Sequence, residues 1–349
     1  MGVAYQFFAW GVLPQNGEDD GCILAWDVLY SMKKNKRRFT MSYMKTEFRF
    51  PSASGLTEIY ACKFIPQDPV RRVVQIAHGM AEHLERYEPF IEVLCSHGIA
   101  VYINDHLGHG KSASDPQDRG YFGPGGYVDV VKDMAQLTQI AKADYPDVPF
   151  VLFGHSMGSF MVRTYAANPL YNGNLDGLIV CGTGGPNGAV GVAIGLTKFL
   201  EKCRGDRHRS VLINALAFGS YNKRCQGRTL FDWLTKDEAV VDAYIADENC
   251  GFLFTTSGFL GLFGALRFAN SEKCMESTPK ELPILLISGT EDPVGGYGKG
   301  VDRVQELLTA SGHRVRKILY PNARHEILNE SDTFPAVCAD VIGFVEEIK

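Results

Sequence analysis

Gly154-His155-Ser156-Met157-Gly158 is the stretch of this chain with the clearest chemical meaning. It follows an apolar run, 149–153, and precedes a segment of helical period from Met161 to Ala167. A serine there sits on a strand-to-helix turn so tight that its backbone leaves the ordinary regions and its oxygen projects beyond the strand end. The hydroxyl is a weak nucleophile until a base takes its proton. That base is a histidine oriented by a carboxylate, in chain order serine, acid, histidine for this type of turn. His208, His313 and His325 follow Ser156. His208 lies in the charged stretch 204–209, and His313 precedes the strand-like run 314–320, which puts it at the opposite sheet edge from Ser156. His325 follows that run, at the same edge, so geometry selects it. Glu291 and Asp292 both follow the apolar run 283–288, and position leaves either as the acid. An ester carbonyl also needs two donors for its developing negative charge. The backbone N–H of Met157 is one. The loop His78-Gly79-Met80, after the strand-like run 72–77, offers the N–H of Met80 as the other.

The elements that must position these groups follow from periodicity. Short apolar runs at 46–50, 59–64, 72–77, 99–104, 149–153, 177–181, 283–288 and 314–320 read as strands, the later ones apolar throughout as strands buried on both faces must be. Helical stripes separate them at 83–96, 127–143 and 332–348. The alternation predicts a mostly parallel sheet with helices on both faces, and the first two strands an edge hairpin. The rhythm breaks between 186 and 275, too long for a loop, which predicts an inserted helical lid. Thr235-Lys236-Asp237-Glu238 reads as a capping box opening a helix through Ile245. The expected organisation is a core of 41–185 and 276–349, the lid at 186–275, and an extension at 1–40.

Composition narrows the function classes. Of 349 residues 45% are apolar, which excludes a disordered or low-complexity chain. The net charge of −5 carries no electrostatic footprint for nucleic acid. No apolar run is long enough to span a membrane. The nine cysteines form no C-x-x-C pair and several lie in apolar runs, which reads as free thiols in a reducing compartment, the cytoplasm. Residues 1–40 carry the basic run 33–38 and fit neither a secretory signal nor a myristoylation motif. They read as a solvated tail or as sequence from an early start codon, with Met41 an alternative start; the functional alternative for the basic run is a membrane-surface or partner patch. His325-Glu326 lacks the second histidine of H-E-x-x-H, and His78 to His83 is one residue too long for the inverted zinc motif, so no metal is expected. No phosphate-binding glycine loop is present, and no cofactor is expected.

Five blocks in order give the chain a resemblance: His78-Gly79-Met80-Ala81-Glu82-His83 with Arg86-Tyr87, Asp105-His106-Leu107-Gly108-His109-Gly110-Lys111-Ser112, the serine pentapeptide, Gly289-Thr290-Glu291-Asp292-Pro293, and Tyr320-Pro321-Asn322-Ala323-Arg324-His325-Glu326. From about 46 onward the chain resembles α/β-hydrolases of the monoacylglycerol lipase and lysophospholipase type, grouped with serine aminopeptidase-like hydrolases. The resemblance implies Ser156 as nucleophile, Asp292 as acid, His325 as base, and the N–H groups of Met80 and Met157 as the oxyanion hole. The implied substrate is a small lipid ester, either a monoacylglycerol or a lysophospholipid.

The stretch 251–266 is uncharged. Its Phe252, Phe254, Phe259, Leu260 and Phe263 serve either as the lid's own core or as an acyl-chain pocket touching lipid interfaces. Alternative readings are a general carboxylesterase, a serine aminopeptidase that uses a lid carboxylate (Asp237, Glu238, Asp242 or Asp247) to hold the substrate amine, or a ligand-binding receptor on the same fold. No oligomeric state follows from the sequence.

Overall fold

The computed structural model describes residues 43–349. The basic run at 33–38 and the candidate start at Met41 lie outside the described residues.

Strands β1 (Tyr43–Pro51) and β2 (Glu58–Pro66) pair antiparallel as the expected hairpin, with Phe48 opposite Ala61. Then come β3 (Arg72–Ala77), β4 (Ile99–Asn104), β5 (Phe150–His155), β6 (Gly177–Cys181), β7 (Ile284–Gly289) and β8 (Val315–Tyr320). One eight-stranded sheet results, in the order β1-β2-β4-β3-β5-β6-β7-β8. From β4 to β8 every neighbouring pair is parallel, with Phe153 beside Ile76 on one flank and Ile179 on the other.

The two faces alternate with period two, as strand geometry requires. Val73, Leu152, Val180 and Leu286 point to one face, under helices α2 (Tyr127–Asp144), α3 (Met157–Ala166) and α9 (Lys299–Ala310). Val74, Phe153, Ile179 and Leu285 point to the other, under α1 (Glu88–Ser96) and α10 (Phe334–Glu347). The helix expected over 83–96 therefore starts late. Residues 84–87 form a tight 3₁₀ turn, and the α-helix begins beside Pro89, whose missing N–H suits only a first turn.

Helices α4 (Ala189–Arg204), α5 (Val211–Phe218), α6 (Glu238–Ala246), α7 (Thr256–Ala269) and α8 (Glu272–Ser277) all fall between β6 and β7. Helix α7 is apolar nearly all round because it is enclosed, packing on α2, α3 and α4. The cap of α6 differs from the sequence expectation: Asp237 accepts from the N–H groups of Ala239 and Val240, while Thr235 Oγ1 donates to the carbonyl of Asn329 and accepts from the Asp237 N–H ahead of the helix. Among the described residues no helix is long and apolar enough to cross a membrane.

Candidate active site

Ser156 stands between β5 and α3 with φ 54° and ψ −117°, a backbone shape that costs on the order of 1–3 kcal/mol and is held by its surroundings. Its N–H donates to the Cys181 carbonyl at 2.9 Å, and its own carbonyl accepts from the Ser159 N–H at 2.9 Å. The turn can be this tight because Gly158 has no side chain: a Cβ there would lie 2.1 Å from the Ala77 carbonyl oxygen. Gly158→Ala is expected to destabilise the fold by roughly 3 kcal/mol or more, since a backbone atom cannot step aside as a side chain can. A denaturant midpoint equal to that of the unmodified protein would refute this reading of the turn.

The loop after β3 approaches the serine equally closely, with a Cβ on Gly79 falling 3.2 Å from Ser156 Cβ. Four bonds define its path. Gly79 N–H donates to Glu82 Oε1 at 2.6 Å, and Ala81 N–H donates to His109 Nε2 at 3.2 Å. The Ala81 carbonyl accepts from Tyr244 Oη–H and from the Gly251 N–H, both at 2.9 Å. Between them the N–H of Met80 meets no acceptor among the described residues. The N–H of Met157 begins α3, where no intrahelical acceptor exists and the helix dipole favours negative charge. These two groups are suited to an oxyanion.

Asp292 and His325 are both buried. His325 Nδ1 lies 2.9 Å from Asp292 Oδ1. The same carboxylate accepts from the Val294 N–H at 2.8 Å and the Ser288 hydroxyl at 3.0 Å. Burial pushes the Asp292 carboxyl up, but the charge and hydrogen bond of His325, with the other two donors, outweigh it and hold the group below the ordinary carboxylate range. Glu291, its neighbour, is turned outward, half-exposed and 3.9 Å from Arg224. The structure thus brings Asp292, and not Glu291, to His325. The imidazole packs between the rings of Trp233 and His155, with centroids 5.1 and 4.8 Å away. With Nδ1 engaged, Nε2 is the nitrogen left for a hydroxyl. Ser156 Oγ and this ring share no hydrogen bond, yet both border one cavity. Such contacts tighten when substrate binds. His313 is bonded through both ring nitrogens to the carbonyls of Leu308 and Thr278, away from the site.

That cavity measures about 790 Å³. Phe252 and Phe263 line it together with Leu253, Leu262 and Leu266. Phe254, Phe259 and Leu260 do not border it, which corrects the expectation for these three. Phe254 and Phe259 are wholly buried in the core, Phe254 edge-on to Phe122 and Phe259 against Phe263. None of the four candidate amine-binding carboxylates borders the cavity. Asp237 caps α6, Asp242 and Glu238 face Arg228, and Asp247 faces His83.

Sequence reasoning assigned no role to the buried polar group behind the site. Arg86 makes a two-pronged bond to Glu326, 2.7 Å on each prong, and a third at 2.7 Å to Glu82. Glu82 also accepts from Tyr87 Oη–H at 2.9 Å and lies 3.3 Å from His155 Nδ1. Burial opposes charge on both Glu82 and His155. Their mutual bond outweighs it, with Arg86 also acting on Glu82, so the glutamate stays well below its usual range and the histidine rises above its own. Arg86 and His155 thus sit against Glu82 and Glu326, the pairing that burial of charge demands. The signal was present: all five residues stand in the quoted sequence blocks.

A mostly parallel sheet, a serine elbow at its carboxyl edge and a helical insertion over that edge make the chain an α/β-hydrolase. Residues 68–332 match the family described as serine aminopeptidase, S33, and the chain belongs to that family. It is 29% identical over 300 residues to a monoacylglycerol lipase of Mycolicibacterium smegmatis, covering 84% of this chain and 94% of that one. A thermostable carboxyl esterase from Bacillus coagulans, solved with glycerol, superposes with a TM-score of 0.83 at 32% identity, covering 87% of this chain and 98% of that one. A soluble variant of monoglyceride lipase from Saccharomyces cerevisiae gives a TM-score of 0.71 at 17% identity, over 90% and 98% of the two chains. That last likeness is one of fold.

Proposed function

We propose that the protein hydrolyses carboxylic esters of small lipids, monoacylglycerols first among them, through an acyl-enzyme on Ser156. Ser156 Oγ attacks the ester carbonyl as His325 Nε2 takes its proton, and Asp292 steadies the imidazolium that forms. The N–H groups of Met80 and Met157 receive the oxyanion. The alcohol leaves with the proton from His325, and a water activated by the same nitrogen releases the fatty acid.

The observation that carries this reading is the cavity of about 790 Å³, with Ser156, His325, Met80 and Met157 on its wall beside apolar side chains. It is of ligand-pocket size. Its rim is apolar as well: Val192, Val211, Leu216 and Leu230 line it while remaining exposed, which suits transient contact with a lipid surface. The lipase and esterase relatives support the same substrate class. The helices between β6 and β7 act as the lid over this cavity. An aminopeptidase reading finds no support in the lid carboxylates, all four of which are engaged elsewhere. The free cysteines among the described residues favour a cytoplasmic location.

A p-nitrophenyl ester series run beside aminoacyl-naphthylamides tests the substrate class. Medium or long acyl chains are expected to show the highest kcat/KM, with no measurable amide turnover. A sharp optimum at acetate points away from lipid, and efficient naphthylamide cleavage points to a peptidase.

A further inference from the structure

Behind the cavity wall at Ala81, Tyr244 and Gly251, His83, Asp247 and Cys250 converge, their donor atoms all within 4.8 Å of one another. None of the three lines the cavity, and no step of the proposed hydrolysis uses them. His83 ends the loop that carries Met80. Asp247 and Cys250 belong to the turn after α6, in the insertion. We propose that these three side chains form a binding site for one divalent cation of borderline softness, zinc first among them, which clasps the insertion to that loop.

The donor set is the first argument. One imidazole, one thiolate and one carboxylate suit zinc, and metals that demand all-oxygen shells fit it poorly. Tetrahedral zinc bonds of about 2.0–2.3 Å place neighbouring donors roughly 3.3–3.8 Å apart. His83 Nε2 and Asp247 Oδ2 are already 2.8 Å apart. The set therefore needs side-chain adjustments on the order of 1 Å around the ion, not a new backbone path.

Preorganisation is the second. The Cys250 N–H donates to the Asp247 carbonyl at 3.0 Å, closing the turn that carries both ligands. Asp247 Oδ1 accepts from the Asn249 N–H at 2.8 Å, which leaves Oδ2 toward His83. Tyr244 and Gly251 tie the same segment to the Ala81 carbonyl. Little ordering entropy is left to oppose binding.

Access agrees. Burial raises the Cys250 thiol and Arg86 opposes that rise, while Glu82 and Glu326 pair with Arg86. His83 and Cys250 are buried, whereas the Asp247 side chain is 34% exposed. That opening admits the ion and a water as fourth ligand. On binding, the cation replaces the thiol proton of Cys250, which leaves to solvent. His83 coordinates through the Nε2 lone pair with its ring proton on Nδ1. The outer part of the insertion has a small apolar cluster, Leu234, Tyr244 and Cys250 with Phe231 and Trp233 packed on it, besides its hydrogen bonds to the core. A metal cross-link there would add to that packing. The site is independent of Ser156 acting as nucleophile.

Cobalt(II) titration of the metal-free full chain tests the site directly. One equivalent is expected to produce a near-ultraviolet thiolate-to-cobalt charge-transfer band with visible bands of tetrahedral form, and zinc is expected to bleach both. Cys250→Ser should lose the charge-transfer band. His83→Gln and Asp247→Asn should weaken binding by more than the ~10–100-fold typical of outer-shell partners. Zinc at about 100 times Kd should raise the melting temperature by roughly 5 °C in the unmodified protein and not in Cys250→Ser. If Cys250→Ser does not fold, His83→Gln serves for both readouts. No band with the folded unmodified chain overturns the proposal. So does a band that persists in Cys250→Ser, because it places the metal on another thiol such as Cys203 or Cys225. Ester turnover with an absent site, or a site with absent turnover, separates this proposal from the hydrolase reading.

Discussion

Ser156→Ala is expected to lower ester turnover by roughly 10⁴-fold or more, with the loss in kcat and little change in KM. The substitution removes one oxygen from a half-buried side chain. It leaves the elbow backbone, the two N–H donors and the cavity intact. What remains is binding and electrostatic stabilisation, which in serine triads retain about 10³–10⁴-fold over water. Steady-state kinetics on a p-nitrophenyl ester of preferred chain length, with circular dichroism to confirm the fold, makes the comparison. Turnover within tenfold of the unmodified enzyme would remove Ser156 from the mechanism.

Asp292→Asn follows with a loss of about 10⁴-fold in kcat. The carboxylate accepts from His325 Nδ1 at 2.9 Å and so keeps the lone pair of Nε2 toward the substrate side. An amide in its place offers an N–H, which favours the opposite tautomer and leaves Nε2 protonated and unable to act as base. The change also removes a pH-dependent contribution to stability. The Asp292 carboxyl is held below its unfolded value of about 3.9, so its contribution is complete above that pH and is lost as pH falls through the folded value. The acid limb of the stability curve should therefore be shallower in Asp292→Asn. Glu291→Gln is the matched control: the side chain is half-exposed and away from His325, and turnover should stay within about twofold. Equal losses in both variants would dissolve the distinction between the two acids.

How legible each part was depends on the range of the physics behind it. The strands were readable because burial on both faces leaves a local mark, an apolar run bounded by turn residues. Observed β3, β4 and β6 match the expected 72–77, 99–104 and 177–181. Helix starts were less readable. The apolar stripe through Leu84 and Tyr87 continues across a 3₁₀ turn, and only Pro89 marks where α-helical bonding begins. Glu291 and Asp292 are adjacent in sequence, so spacing could not separate them; the family resemblance favoured Asp292, the one that faces His325 in the structure. The uncharged stretch 251–266 has no polar face, hence no phase from which to tell the cavity-lining Phe252 and Phe263 from the core residues Phe254 and Phe259. The Arg86–Glu326 bond spans 240 positions and that of His83 with Asp247 spans 164, distances at which spacing alone pairs nothing, although Arg86 and Glu326 both stand in the quoted blocks. The expected class, an α/β-hydrolase of this family, follows from the ordered blocks and agrees with the comparisons.

Covalent trapping tests the central claim most directly. The enzyme is treated with a fluorophosphonate until turnover ceases, then digested and mapped by mass spectrometry. One adduct per chain is predicted, on the peptide carrying Ser156, and none forms on Ser156→Ala. Full inactivation with the adduct on another residue, or undiminished turnover with Ser156 fully modified, would contradict the account.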